Sequence, residues 1–169
     1  IPDVARLYLL VTDSTDDGLQ NYDRVFFSPE SSARQILSPG LRTGEWGSII
    51  ILPDRHAGAN LLVQEITPEE VTFYHSGVYS NTASPQHLTE EINNLFNFFQ
   101  PGGDFYALQH GWISKEDYLH QLSSASLWRA EVTRWVHSTL QPDLLFTWQD
   151  SFDSAGHAFL LQDPSQPGY

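Results

Sequence analysis

The stretch EVTFYHSGVYSNTASPQHLTEEINNLFNFF, residues 70–99, contains the point at which the pattern of the chain changes. Its first six residues, Glu70 to His75, are mostly β-branched or aromatic, which is typical of a strand. Ser84 and Pro85 then form a helix-start signature, a capping residue followed by proline. The apolar residues after it share one helical face: Leu88, Ile92, Leu95, Phe96 and Phe99. We therefore place a boundary after residue 80, with strands before it and helices after it.

Short segments of similar composition precede that boundary. Gly, Pro, Asp and Asn separate them, and they predict four further strands: Ala5 to Thr12, Tyr22 to Phe27, Trp46 to Leu52 and Ala59 to Ile66. The sequence TPEE, Thr67 to Glu70, predicts a hairpin turn because proline holds the second turn position. A short helix is expected over Pro29 to Leu37, with Ser28 as its N-cap. Residues 1–80 therefore predict a small antiparallel β unit.

The chain after residue 80 follows a helical period. Ser114, with Asp117 three residues later, resembles a capping box. The apolar stripe of a long helix follows it: Tyr118, Leu122, Ala125, Trp128, Val132, Trp135, Val136 and Leu140. Gln141-Pro142 ends this helix, and the run Leu144 to Trp148 is apolar on both faces, as a central parallel strand requires. The predicted fold class is α+β: an antiparallel β unit, then two amphipathic helices and one buried strand.

Composition excludes several classes of function. The formal net charge is −13 over 169 residues, whereas nonspecific binding of nucleic acid needs a basic surface. We therefore expect neither a nucleic-acid polymer nor an anionic membrane surface as a partner. No apolar run approaches the length of a membrane span. The chain has no cysteine, which excludes disulfides, thiolate ligands and a cysteine nucleophile, and its negative charge is compatible with bound metal cations.

The sequence DSAGH, Asp153 to His157, is the main candidate site. It places a carboxylate and an imidazole four residues apart, just past the predicted buried strand, where α/β sheets bind their ligands. Both side chains are good ligands for zinc or a similar divalent ion, and Gly156 permits a sharp turn that brings them together. The alternative is structural: Asp153 caps a helix that starts at Ser154, and His157 is an ordinary, partly buried residue.

The segment PDLLFTWQDSFDSAGH, Pro142 to His157, resembles the metal-binding segment of the type I phosphodiesterase / nucleotide pyrophosphatase family of the alkaline phosphatase superfamily. The resemblance implies an α/β parent enzyme that hydrolyses small phosphate mono- or diesters. It implies two metal ions, usually zinc, and a Thr or Ser nucleophile. It also implies that Asp153 and His157 are ligands of one of those ions.

The chain departs from this family pattern in the other site segments. Thr43 in LRTGEW and Thr82 in SNTASP do not match the Thr-containing turn that holds the family's nucleophile, and there is no D-H-G segment for the second ion. We therefore expect an internal fragment of such an enzyme, with no catalytic residue of its own and no activity alone. Residues 1–80 are then an insertion or cap that covers substrate, and residues 81–169 carry the helices, core strand and metal-ligand loop.

Other interpretations stay open. The chain is alternatively a β-rich binding or interaction module, or part of a phosphoryl or sulfuryl transferase or mutase of the same superfamily. A core strand without its neighbours is prone to associate, so a homodimer is one expected outcome.

Several further residues are candidates on local pattern alone. The acidic segment Asp13 to Asp23 partly resembles a calcium loop, but Arg24 stands where the bidentate Glu belongs, and a solvated hairpin is the alternative. Three histidines near Gly or Asp are candidates for contact with substrate or metal: His56, His75 and His110. The other three histidines considered fall in predicted helices and are interpreted as helix-surface or packing residues: His87, His120 and His137.

Overall fold

The computed structural model describes residues 6–19, 21–160 and 164–165. The chain forms two compact units, Ile1–Ser80 and Asn81–Tyr169. The described strands lie in the first unit and the described α-helices in the second. The α+β class and the antiparallel N-terminal unit are therefore confirmed.

The first unit contains two antiparallel sheets. Its strands are β1 (Tyr8–Thr12), β2 (Arg24–Ser28), β3 (Trp46–Leu52), β4 (Ala57–Ile66) and β5 (Val71–His75). β1 pairs with β2, and the second sheet has the order β3-β4-β5. A 3-10 helix, Pro53–Arg55, connects β3 to β4. The predicted strand Ala5 to Thr12 begins outside the described residues, and its described part is a strand from Tyr8.

Both sheets contribute to one buried core. Its fully buried apolar residues are Val25, Phe27, Leu41, Ile49, Leu61 and Val63. Val25 and Phe27 are both on the inner face of β2, because alternate residues of a strand point to the same side. The Phe27 ring meets the Phe73 ring of β5 edge-on, with 5.4 Å between the ring centroids. This contact joins the two sheets within the unit.

The structure confirms the turn at TPEE. The backbone N–H of Thr67 donates to the carbonyl of Glu70 at 2.9 Å. The hydroxyl of Thr67 also accepts from the backbone N–H groups of Glu69 and Glu70, at 3.3 and 3.0 Å. These bonds close the hairpin between β4 and β5.

The predicted helix over Pro29 to Leu37 is wrong. The segment is a series of turns in which Ala33 has a left-handed φ of 50°, a conformation that interrupts an α-helix. The hydroxyl of Ser28 accepts from the N–H of Glu30 at 3.1 Å, which closes a local turn instead of capping a helix. The chain then bonds along β2, since Leu37 donates to the carbonyl of Phe27 at 2.8 Å.

The second unit contains four α-helices among its described residues. They are α1 (His87–Phe96), α2 (Phe105–Gln109), α3 (Lys115–Trp135) and α4 (Ser151–Phe159). The capping box at the start of α3 is confirmed. The hydroxyl of Ser114 accepts from the N–H of Asp117 at 3.0 Å, and the carboxylate of Asp117 accepts from the N–H of Ser114 at 3.0 Å.

The bounds of α1 differ from the prediction at both ends. Gln86 holds the N-cap position, two residues after Ser84, and the Ser84-Pro85 peptide is cis. The helix ends at Asn97, whose φ of 63° takes the chain out of the helix before the predicted stop at Pro101. As a result Phe99 lies beyond the helix on whose face it was predicted, and the neighbouring Phe98 is fully buried.

The long helix ends where the sequence predicts. A π-helical turn, Val136–Leu140, follows α3, and Gln141 then adopts a left-handed conformation with a φ of 45°. Only the first half of the predicted apolar stripe is buried, at Tyr118, Leu122 and Ala125. The second half of the stripe is more open, and Leu140 is exposed.

The predicted buried strand Leu144 to Trp148 is wrong. The segment is neither helix nor strand, and Leu144, Phe146 and Trp148 are 71%, 87% and 76% exposed. A strand that is apolar on both faces is buried only between neighbouring strands and covering helices. Both sheets belong to the first unit, so no described residue of the second unit supplies such a neighbour.

Candidate functional site

The first turn of α4 is held against α3 by polar contacts. Nη1 of Arg129 lies 2.5 Å from Oδ1 of Asp150, the residue just before the helix. The hydroxyl of Ser126 donates to that of Ser151 at 2.5 Å, and Ser151 donates to the carbonyl of Leu122 at 3.2 Å. Because these contacts lie on the side of α4 that faces α3, they set the direction in which the opposite face points.

Aromatic packing completes the attachment of α4. Ala158 is fully buried, and the Phe159 ring meets the Tyr118 ring edge-on at a centroid distance of 5.7 Å. Burial, and then the negative charges of Asp150 and Asp104, raise the pKa of Tyr118. The Tyr118 hydroxyl therefore stays neutral at neutral pH and serves as packing. The buried face of α4 leaves Asp153 and His157 on the outside.

Asp153 and His157 lie together on the exposed face of α4. Oδ1 of Asp153 is 3.4 Å from Nε2 of His157, and their side chains are 70% and 77% exposed. Residues four apart in a helix are neighbours on its surface, so helical geometry brings the two groups together. Two interpretations of the sequence need correction here. Gly156 makes no sharp turn because it lies inside α4, and Asp153 does not cap a helix at Ser154 because the helix begins at Ser151.

The exposure of His157 also contradicts the alternative in which it is a partly buried residue. A histidine at this degree of exposure makes no contribution to a core. Among the described residues, however, no group of three or more His, Cys, Asp and Glu side chains is placed to hold a metal ion. The pair therefore offers two ligands, whereas a structural or catalytic zinc site takes three or four from protein.

A run of exposed apolar residues leads into this site. Leu144, Phe146 and Trp148 alternate along the chain, and Phe152 in the first turn of α4 is 92% exposed. Within the described part of the chain, no backbone hydrogen bond involves residues 144–149. We call residues 144–152 the apolar segment. The free backbone groups of residues 144–149 and the alternating apolar side chains are the features of an unpaired strand edge.

The threonines nearest to the family's nucleophile pattern carry no activating contact. Thr43 and Thr82 are both exposed. Across residues 6–19, 21–160 and 164–165, neither hydroxyl bonds to an imidazole or a carboxylate, the usual base beside a hydroxyl nucleophile. Their positions give no support to a catalytic role.

In the acidic segment Asp13 to Asp23, carboxylates accept hydrogen bonds from donors of the same segment. Asp13 accepts from the N–H of Thr15 at 3.0 Å, and Asp23 accepts from the N–H and hydroxyl of Ser14 at 2.7 and 2.6 Å. The hydroxyl and N–H of Ser14 lower the pKa of Asp23. The N–H of Leu19 and the amide of Asn21 lower the pKa of Asp17. These bonds favour the solvated hairpin over a calcium loop.

The other histidines occupy local structural positions. His56 takes a left-handed conformation after the 3-10 helix, and Nδ1 of His75 lies 3.0 Å from the carbonyl of Ser76. Nδ1 of His110 lies 2.8 Å from the carbonyl of Tyr106, and the two rings stack at 3.9 Å. Three further histidines lie in helical segments, as predicted: His87, His120 and His137.

Sequence reasoning missed the role of Arg129, which orients α4 through Asp150. Arg129 falls within the long helix, and no local pattern distinguishes it from a solvated arginine. Only the return of the chain after Gln141 brings Asp150 against it, over a separation of 21 residues. No sequence signal short of a predicted tertiary contact identifies such a pair.

Comparisons with known proteins found no family model that matches this chain, no similar curated protein and no similar solved structure. Among the described residues, none of the helices is both long enough and apolar enough to cross a membrane.

Proposed function

We propose that this chain is part of a metal-dependent phosphodiesterase or nucleotide pyrophosphatase-like hydrolase, in which Asp153 and His157 supply two ligands of one zinc ion. The observation that carries the proposal is the distance of 3.4 Å between Oδ1 of Asp153 and Nε2 of His157. Two ligand atoms that each lie about 2.0–2.1 Å from one tetrahedral zinc are themselves about 3.3–3.4 Å apart. The pair therefore has the separation that adjacent ligands of zinc require.

The donor chemistry is compatible with the same ion. A carboxylate oxygen and an imidazole nitrogen are both ordinary zinc ligands. An ion pair between exposed side chains on a helix has the same spacing, so the distance alone does not separate the two roles. The resemblance of Pro142 to His157 to a phosphodiesterase metal segment favours the ligand role.

The apolar segment is a second line of support. Leu144, Phe146 and Trp148 are 71–87% exposed although the sequence around them is almost wholly apolar. An exposed apolar run of this kind is typical of a surface that another part of a protein covers. In the proposed parent enzyme, the part that covers it also supplies the remaining ligands.

The proposal assigns a task to each of the chain's own residues at this site. A bound zinc supplies positive charge that stabilises the negative charge developing on a phosphoryl group. Asp153 and His157 would hold the ion through Oδ1 and Nε2, which would leave the ring proton of His157 on Nδ1. The contacts of Arg129 with Asp150 orient the helix that carries both ligands. The nucleophile is supplied from outside this chain.

Zinc titration by calorimetry tests the ligand role. We expect weak, saturable binding by the unaltered chain. Asp153→Ala and His157→Ala should each weaken it by at least the roughly 10–100-fold that changes in outer-shell residues cost. Asp143→Ala and His87→Ala are matched controls, since both residues are exposed and belong to the same unit. Equal loss in the controls, or undiminished binding in the two ligand variants, would contradict the proposal.

Hydrolysis of a chromogenic phosphodiester tests the assignment of the nucleophile. With zinc present, the chain alone should give no turnover above the metal-only background. Robust activity that is lost in Thr43→Ala or Thr82→Ala would place the nucleophile within this chain and overturn that part of the proposal.

A further inference from the structure

The first unit contains a cleft that the zinc pair does not use. It has a volume of about 470 Å³ and lies between β1 and the hairpin of β4 and β5. This volume falls in the range of about 300–1,000 Å³ that is typical of small-molecule sites. Side chains of β1 and β5, Tyr22 and the turn at Thr67 to Glu70 line it. A small molecule, rather than a folded partner, fits these dimensions.

The walls of the cleft are apolar, and the charged side chains among its described lining residues are both carboxylates. Leu9 and Val11 come from β1, and Val71 and Phe73 come from β5. The β1 and β5 side chains also pack on the buried core at Val11, Val71 and Phe73, which fixes the position of the walls. Among the lining residues that the structure describes, there is no lysine, arginine or histidine.

Glu69 and Glu70 give the cleft its negative charge. Within the described parts of the chain, neither carboxylate forms an ion pair. The turn that holds them is closed by backbone groups and the Thr67 hydroxyl, so the carboxylates are not needed to form it. Two adjacent carboxylates with no internal cation favour a positively charged ligand.

We propose that this cleft binds a small organic cation, an ammonium group attached to an apolar body. The apolar body lies against Leu9, Val11 and Val71, and the ammonium group lies toward Glu69 and Glu70. Tyr22 and Phe73 are also lining residues, and an aromatic ring attracts a cation through its electronegative face. An anion of the same shape is repelled. This site is independent of Asp153 and His157.

Ligands that differ only in charge test the proposal. Phenethylammonium, 2-phenylethanol and 3-phenylpropionate are titrated into the full chain at pH 7 and followed through amide NMR signals. The ammonium ion should bind with a dissociation constant on the order of millimolar and shift residues of β1 and β5. The neutral alcohol should bind about two- to fivefold more weakly for each carboxylate contact it lacks. The carboxylate ligand should give no saturable shift.

The variant Glu69→Gln/Glu70→Gln keeps the shape of the turn and removes its charge. It should bind the ammonium ion no better than the alcohol, while affinity for the alcohol stays the same. Glu65→Gln is the matched control, since Glu65 is an exposed residue of the same hairpin outside the cleft. The proposal is overturned by equal binding of ammonium and alcohol, by shifts confined to other residues, by no binding up to about 20 mM, or by equal loss in the control.

Discussion

Two segments of similar composition have opposite environments in this molecule. Strand β2 has the sequence RVFFS, and Val25 and Phe27 within it are fully buried. The run LLFTW, Leu144 to Trp148, is at least as apolar, yet Phe146 is 87% exposed. Apolar composition alone therefore does not determine burial. An apolar segment is stabilised by burial, and whether it is buried depends on the other parts of the chain.

The difference lies in the neighbours of each segment. β2 pairs with β1 along one edge in a continuous register from Tyr8↔Ser28 to Thr12↔Arg24. Along the other edge, Leu41 exchanges backbone bonds of 2.8 and 2.9 Å with Val25. Residues 144–149 have no such partner among the described residues. A strand is stabilised by pairing with its neighbours and by packing on its faces. Of the two segments, only β2 has both.

Replacing one phenylalanine in each segment tests directly whether neighbouring elements, rather than composition, determine what the segment contributes to stability. Phe27→Ala should lower the free energy of unfolding of the first unit by roughly 3–5 kcal/mol, because it leaves a cavity beside Phe73. Phe146→Ala should change stability by no more than about 0.5 kcal/mol, since the side chain is in solvent. Urea unfolding, followed through NMR signals of each unit, measures both. A loss at Phe146 comparable to that at Phe27 would show that Phe146 is buried in solution.

Self-association of the chain should also distinguish the two segments. The apolar segment presents Phe146 and Trp148 beside free backbone groups, whereas β2 presents no free edge, so only the former is expected to join copies of the chain. Sedimentation velocity should show an average mass that rises with concentration. Phe146→Ser/Trp148→Ser should abolish the rise. A concentration-independent monomer for the unaltered chain would exclude the homodimer that the sequence leads us to expect.

Much of the fold follows from local sequence. The capping box at Ser114, the turn at Thr67 to Glu70 and the end of the long helix at Gln141 are each specified by residues within a few positions. The failures are of another kind. Pro29 to Leu37 has a helix-start signature, but backbone bonds to β2 override it, and the fate of Leu144 to Trp148 depends on neighbours that no local pattern encodes.

The candidate site was predictable only in part. The spacing of Asp153 and His157 brings them together as soon as a helix spans both residues, although a turn at Gly156 was expected to do so. Their joint exposure depends on which face of α4 packs on α3, and Arg129 and Asp150 set that through a contact between distant residues. The cleft at Glu69 and Glu70 was not predicted, because it needs β1 and β5 side by side.

A small effect on stability is expected in the loop that joins β1 to β2. These two strands are paired, whereas the run LLFTW has no paired strand. Hydrogen bonds from Ser14 hold the pKa of Asp23 below its ordinary value. Because the folded-state pKa lies below the unfolded-state pKa, Asp23 adds stability above the unfolded value, near pH 4. That contribution should fade as the pH falls below about 4. It is small, since the carboxylate is open to solvent.

Urea unfolding of the first unit between pH 7 and pH 2 measures this contribution. Asp23→Asn should lower the unfolding midpoint slightly at pH 7 and flatten the decline below about pH 4. Asp16→Asn is the control, because the Asp16 carboxylate accepts no hydrogen bond from any described residue. If both variants show the same pH profile, the bonds from Ser14 do not stabilise the loop. Strand pairing and the buried side chains of β2 would then be sufficient to hold the register of β1 and β2, and both of these depend on neighbouring elements, not on composition.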